Sequence, residues 1–163
     1  MDDERIRSVV DACVAERMAV YRTLLALTGD PDLADDLAQE AVARGIERAG
    51  QYRGPAPVGA WVHRIALNAW RDHLRRRRLR SWVGLDRPDA VAVAAAPERE
   101  PADLVDLRRA LARLPARQRA ALVLRYYHEY DYAAIGEALG ITSGSAGSLL
   151  SRALERLRAE LGE

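Results

Sequence analysis

The chain contains no lysine: all 25 of its basic residues are arginine. That pattern reflects a compositional bias of the genome as much as selection for bidentate contacts. A single cysteine, Cys13, rules out an internal disulfide and fits a reducing compartment. Its place in an amphipathic segment reads as a small core residue. No apolar run approaches the length of a membrane span, so no membrane insertion is expected. The opening MDDER lacks the basic and apolar character of a secretory leader. Nothing alternates with the period of a strand. Gly-rich phosphate loops, a nucleophile elbow and HExxH are all absent. The three histidines, His63, His73 and His128, lie on predicted helices without a companion cysteine or paired carboxylate at metal spacing. These absences argue against an enzyme and imply no metal or cofactor; His63 and His73 read as polar helix residues.

What is present describes a helical protein in parts. A length of 163 residues, 49% apolar and 30% charged, suits one soluble domain or two small ones. The net charge of +1 conceals strong local polarity. Residues 30–43 hold five acids and no arginine, whereas residues 61–80 hold seven arginines against Asp72. Periodicity and caps predict a first helix over 3–27, a break at Thr28-Gly29-Asp30, and a second helix opened by the Asp30 cap and Pro31 and reaching about 49. A Pro- and Gly-containing loop covers 51–57, and a third helix covers 61–80. Residues 81–103 change character: Pro88, Pro97 and Pro101, an alanine-valine run and a net acidic balance predict a flexible linker. Fully extended it would reach about 75 Å. Helices are predicted again over 104–113, 115–128, 132–139 and 143–161.

The segment 61–80 (WVHRIALNAWRDHLRRRRLR) is the most informative. On a helical period, Trp61, Arg64, Asn68, Arg71, Arg75 and Arg78 line one face, and Val62, Ile65, Ala66, Ala69 and His73 another. One face can dock on a core while the other offers guanidinium groups to phosphates, an amide to a base edge and a ring for stacking. Further on, residues 132–150 read as helix, turn and helix. Ile135, Leu139 and Ile141 form a small core and Gly140 makes the tight turn, an arrangement whose second helix enters the major groove of DNA.

Together these segments resemble an extracytoplasmic-function (ECF) sigma factor of bacterial RNA polymerase. Region 2 of that family is echoed by 30–40 (DPDLADDLAQE) and 60–76 (AWVHRIALNAWRDHLRR), and region 4 by 111–119 (LARLPARQR), 124–127 (LRYY) and the helix-turn-helix. The resemblance implies an all-α fold of two small helical domains, region 2 over 1–80 and region 4 over 104–163, joined by the linker over 81–103. It implies a cytoplasmic protein with core RNA polymerase (clamp helices and flap), promoter DNA and an anti-sigma factor as partners. Asp35, Asp36, Gln39 and Glu40 would meet the polymerase. Tyr52, Arg53, Trp61, Arg64, Asn68, Arg71, Arg75, Arg76 and Arg78 would meet the −10 element, although the apolar neighbours of Trp61 favour packing for that ring. Thr142, Ser143, Ser145, Gly147, Ser148, Ser151 and Arg152 would meet the −35 element.

One departure stands out. The family pattern has a lysine and an arginine near the start of the second helix of the turn, and this chain has Gly147 and Leu149 there. The loss of two cations predicts weak or unusual −35 recognition, each good base contact being worth about 1–3 kcal/mol. Leu149 and Leu150 side by side, if exposed, would favour a protein contact, with Leu150 expected to face the core. The alternative reading is a sigma-like or helix-turn-helix regulator that does not itself initiate transcription.

Overall fold

A computed structural model describes residues 2–82 and 101–163. Eight α-helices occur among them: α1 (Asp2–Ala15), α2 (Arg17–Thr28), α3 (Pro31–Glu47), α4 (Val58–Trp82), α5 (Ala102–Arg113), α6 (Ala116–Leu122), α7 (Tyr132–Leu139) and α8 (Ser143–Leu161). No strand is found among the described residues, as expected. Of the expected linker, 83–100 lie outside the described residues, while 81 and 82 extend α4 and 102 and 103 begin α5.

Local chemistry explains most boundaries. Gly29 closes α2 in the left-handed region at φ 68°, and Asp30 accepts from the backbone of Asp32 and Leu33 at 3.0 and 3.1 Å, with Pro31 first in α3. Asp131 caps α7 and Thr142 caps α8, each through a side-chain oxygen, and Gly140 makes the turn between them at φ 67°.

Two expectations need correction. The first helix is not continuous: it divides at Glu16 into α1 and α2. The predicted helix over 115–128 ends its α-helical part at Leu122. A wider π turn follows over Val123–Tyr127, closed by His128 N–H donating to the Val123 carbonyl at 3.2 Å. Neither site carries Gly or Pro, so no local signal marks it.

Helices α1–α4 form one bundle and α5–α8 another, α2 and α4 packing on α3 and α6 and α7 packing on α8. Leu24, Leu27, Val20, Val62 and Cys13 are fully buried in the first; Leu124, Ile135, Ala138 and Ala146 fill the second. Burying a leucine of this kind contributes about 1.5–3 kcal/mol. The halves also pack on each other, chiefly through α4 against α7, and the apolar core is continuous across them.

Arg119 is part of that junction. Only 3% exposed, it donates from Nη1 to the Leu27 carbonyl of α2 at 2.8 Å and from Nη2 to the Leu114 carbonyl at 3.3 Å. A cation thus meets the carbonyl-rich end of α2. Arg119→Met keeps the volume and removes these charge-assisted bonds. It should lower unfolding free energy by about 1.5–3 kcal/mol, read by urea denaturation; an unchanged midpoint would refute the role.

Candidate nucleic-acid and protein interfaces

Helix α4 is 25 residues long, about 37 Å at 1.5 Å per residue. Val62, Ile65, Ala66, Ala69 and Trp70 face the core, and His73 is half-buried. Arg64, Asn68, Arg71, Arg75 and Arg78 are all exposed along the opposite face, and Arg76 is exposed beside them. The face therefore presents guanidinium groups and an amide over almost the whole helix. Burial, then the charges of Arg77, Arg76 and Arg80, lower the pKa of His73, so it adds no positive charge of its own.

The loop ahead of α4 begins with a 3-10 turn over Ala49–Gln51. The half-buried Tyr52 ring lies 5.5 Å from that of Trp61, tilted at 52°. The Tyr52 hydroxyl donates to the Ala56 carbonyl, so it ties the loop to itself. Arg53 is exposed, and its guanidinium donates to the Gly50 carbonyl. Trp61 is half-buried and packs against the core, in line with the packing role favoured from its neighbours.

On α3, Asp36 and Gln39 are exposed and Asp35 and Glu40 half-buried. The acids are less isolated than the sequence suggests. Arg17 of α2 reaches Asp35 at 2.7 Å, Gln39 donates to the other Asp35 oxygen at 2.7 Å, and Arg44 pairs with Glu40.

At the helix-turn-helix, Thr142 accepts from the Ser145 N–H at 3.1 Å and donates to its hydroxyl at 2.9 Å, so both side chains serve the cap. Ser143, Ser148, Ser151 and Arg152 are exposed, while Leu150 is buried and Leu149 packs half-buried against the core. The pair of leucines is therefore not an exposed apolar patch. Gly147 is explained by Tyr132: a Cβ at 147 would lie 3.3 Å from the tyrosine ring. The Arg125 guanidinium sits 5.3 Å above the same ring, which is 48% exposed. An aromatic-arginine pair thus stands next to the surface where cations are missing. Sequence reading did not select Tyr132 or Arg125, although both lie within segments that carry the resemblance.

A polar cluster between the halves also escaped the sequence reading. His63 is fully buried, not a surface residue of its helix. Its Nε2 lies 2.9 Å from Thr23 Oγ1, its Nδ1 lies 2.9 Å from the Gly59 carbonyl and 3.3 Å from the Tyr130 hydroxyl, and His128 Nε2 lies 2.6 Å from the same Thr23 oxygen. Nearby, Arg64 pairs with Glu137 of α7 at 3.4 Å. One arginine of the exposed α4 face is therefore engaged by the second half.

Comparison with known proteins agrees with the two bundles. Residues 15–80 match the family model for sigma-70 region 2, and residues 104–157 match that for sigma-70 region 4. The chain is 31% identical over 144 residues to the ECF RNA polymerase sigma factor SigM of Bacillus subtilis, covering 86% of each protein. It is 32% identical over 160 residues to SigL of Mycobacterium tuberculosis, covering 96% of this chain and 90% of that one. SigM of M. tuberculosis is 36% identical over 129 residues, and there the match spans only 64% of the relative's length. A crystal structure of the sigma factor RpoE in complex with the anti-sigma factor NepR from Bartonella quintana shares the fold, at TM-score 0.74 and 23% identity over 91% of this chain and 93% of that one. Among the described residues no helix is long and apolar enough to cross a membrane.

Proposed function

The chain belongs to the ECF RNA polymerase sigma factors of the sigma-70 family, and on that premise we propose that it carries core RNA polymerase to promoters and helps open them. Region 2 spans 1–80 and region 4 spans 104–163 in this reading, and the protein works in the cytoplasm as a regulator without catalytic chemistry. The observation that carries the proposal is the α4 face, five residues (Arg64, Asn68, Arg71, Arg75, Arg78) exposed in one row above a buried apolar stripe. Such a row follows a phosphate backbone, and Asn68 amid it can hold a base edge. Tyr52 and Trp61 hold the loop against the start of the helix, where a base leaving the stack would be received.

Asp36 and Gln39 offer the polar face for the polymerase clamp helices, with Asp35 and Glu40 fixed beside them by Arg17 and Arg44. On α8, Ser143, Ser148, Ser151 and Arg152 face the −35 element, and Tyr132 with Arg125 supplies the ring and the cation that position 147 lacks. RpoE of B. quintana is held by an anti-sigma factor; the same kind of partner is proposed here. A sigma-like regulator that binds without initiating is the second reading, favoured by Gly147 in the recognition helix.

Co-elution with core RNA polymerase on gel filtration tests the proposal. The wild-type chain should co-elute. Asp36→Arg, a change at an exposed site, should weaken binding at least tenfold without loss of helicity, because it places like charge against a complementary surface. A wild-type chain that never associates with core would refute the assignment.

A further inference from the structure

We infer that Thr23, His63, His128 and Tyr130 form a proton-sensitive latch that holds the second half of the chain against α4 beside Arg64 at neutral pH and releases it on acidification. The inference rests on the proposed function only in taking the α4 face as the DNA-binding one. The latch itself is geometry at the junction of α2, α4 and the segment that follows the π turn.

The hydrogen bonds of the cluster can all be made with two neutral rings. Donation from His63 Nδ1–H to the Gly59 carbonyl leaves Nε2 as an acceptor, which the Thr23 hydroxyl can serve; that hydroxyl oxygen in turn accepts Nε2–H from His128. One threonine hydroxyl therefore ties His63 of α4 to His128, 105 positions beyond the threonine in sequence. The π turn and the left-handed Glu129, at φ 57°, bend the chain so that His128 and Tyr130 both face His63. The Tyr130 N–H donates to the Leu124 carbonyl at 3.0 Å and Arg125 donates to the Tyr130 carbonyl at 2.9 Å, which brace that turn from within the second half.

Charging either ring opposes closure. Thr23 could turn its proton to the Ala19 carbonyl, 3.1 Å away, and still accept from both rings, so hydrogen bonds are not what fails. The charge is what has no home. His63 is fully buried, its ring centroid is 5.0 Å from that of His128, and Arg22 presses on His128 from α2. The remaining groups about the cluster do not compensate. Tyr130 stays neutral, its pKa driven up by burial and by Glu16. Asp131 is committed to the cap of α7. Glu16 and the Tyr130 hydroxyl both crowd Gly59, where a Cβ would lie 2.8 Å from each. Burial raises the Glu16 pKa, so on acidification it loses its charge earlier than an exposed glutamate.

The sign follows. Burial lowers the His63 pKa from 6.5 to about 4 in the closed form. Opening returns it toward its ordinary value, so the open form takes up protons first. The contribution of His63 to closure is fully present above about pH 6.5 and is lost as pH falls toward 4, by up to about tenfold in the closed-to-open ratio per pH unit for this one group. His128, lowered by burial and then by Arg22, steepens the change. Release frees Arg64 from Glu137 and from its place against the Gly140 turn.

Small-angle X-ray scattering of the full chain from pH 7.5 to 5.0 at fixed ionic strength, with far-UV circular dichroism, tests the latch without polymerase or DNA. A failure here is therefore separate from a failure of the proposed function. The radius of gyration should rise below pH 6.5 with helicity unchanged. His63→Gln keeps an amide for the same partners but takes up no proton, and it should expand less than wild type at pH 5, His128 alone remaining to titrate. If that variant does not fold, His128→Gln should expand over a shallower pH range than wild type. A wild-type chain that stays compact at pH 5, one that expands only as it loses helicity, or an undiminished expansion in a folded variant would overturn the inference.

Discussion

Replacing Arg75 and Arg76 by alanine should reduce promoter opening roughly ten- to thirtyfold at moderate salt while core polymerase binding stays within about twofold. Both arginines are exposed on the outward side of α4, away from the buried stripe of Val62, Ile65, Ala66 and Ala69. Removing one arginine–phosphate pair takes about 0.9 from the slope of log affinity against log salt, so the double variant should flatten that slope by about 1.8. The slope is the decisive quantity, because a folding defect would lower affinity without changing it. Stability should barely alter, since the side chains lie in solvent and alanine is the better helix former. Permanganate footprinting on the same promoter reports opening directly. Loss of core binding together with opening would mean that this part of α4 faces the polymerase.

The second large effect is expected at Gly136. Its carbonyl accepts from Ile141 N–H at 2.9 Å, and an added Cβ would lie 2.6 Å from the Ile141 carbonyl oxygen and 3.3 Å from Thr142 C. Both neighbours are backbone, so α7 cannot accept the methyl without moving away from the turn that sets α8. Gly136→Ala should therefore cost about 2–3 kcal/mol from overpacking, even after the roughly 1 kcal/mol that alanine gains as a helix former. That corresponds to a fall in Tm of about 4–12 °C for a chain of this length. Gly144→Ala is the control: nothing lies within 4 Å of its added Cβ, and the change should be neutral or slightly stabilising. Differential scanning calorimetry on both variants decides the matter, and equal midpoints would remove Gly136 from the account.

The parts of this structure that sequence reveals are those fixed by near neighbours. Asp30-Pro31 opens α3, Gly140 divides α7 from α8, and the bounds of those two helices follow from caps only a few residues away. The α4 stripe is legible because period and burial coincide from Val62 to Trp70. What was not legible lies in pairings between distant positions. Arg17 with Asp35, Arg64 with Glu137, and Thr23 with His128 join residues 18, 73 and 105 apart. No local pattern sets such pairs; they follow from how the bundles meet. His63 shows the consequence: on its own helix it is one more polar residue, and in the fold it is fully buried between the halves. Gly147 reads as a missing cation until Tyr132 is seen to lie against it.

In the proposed function this chain selects promoters through two separate surfaces, one on α4 and one at the helix-turn-helix. The most direct test is in vitro transcription with core RNA polymerase over a genomic promoter library, with start sites read by sequencing. Discrete starts that share both a −10 and a −35 sequence are expected, with the −35 preference altered by Tyr132→Ala. An absence of starts despite demonstrated binding to core would contradict that function and leave the sigma-like regulator as the reading that fits.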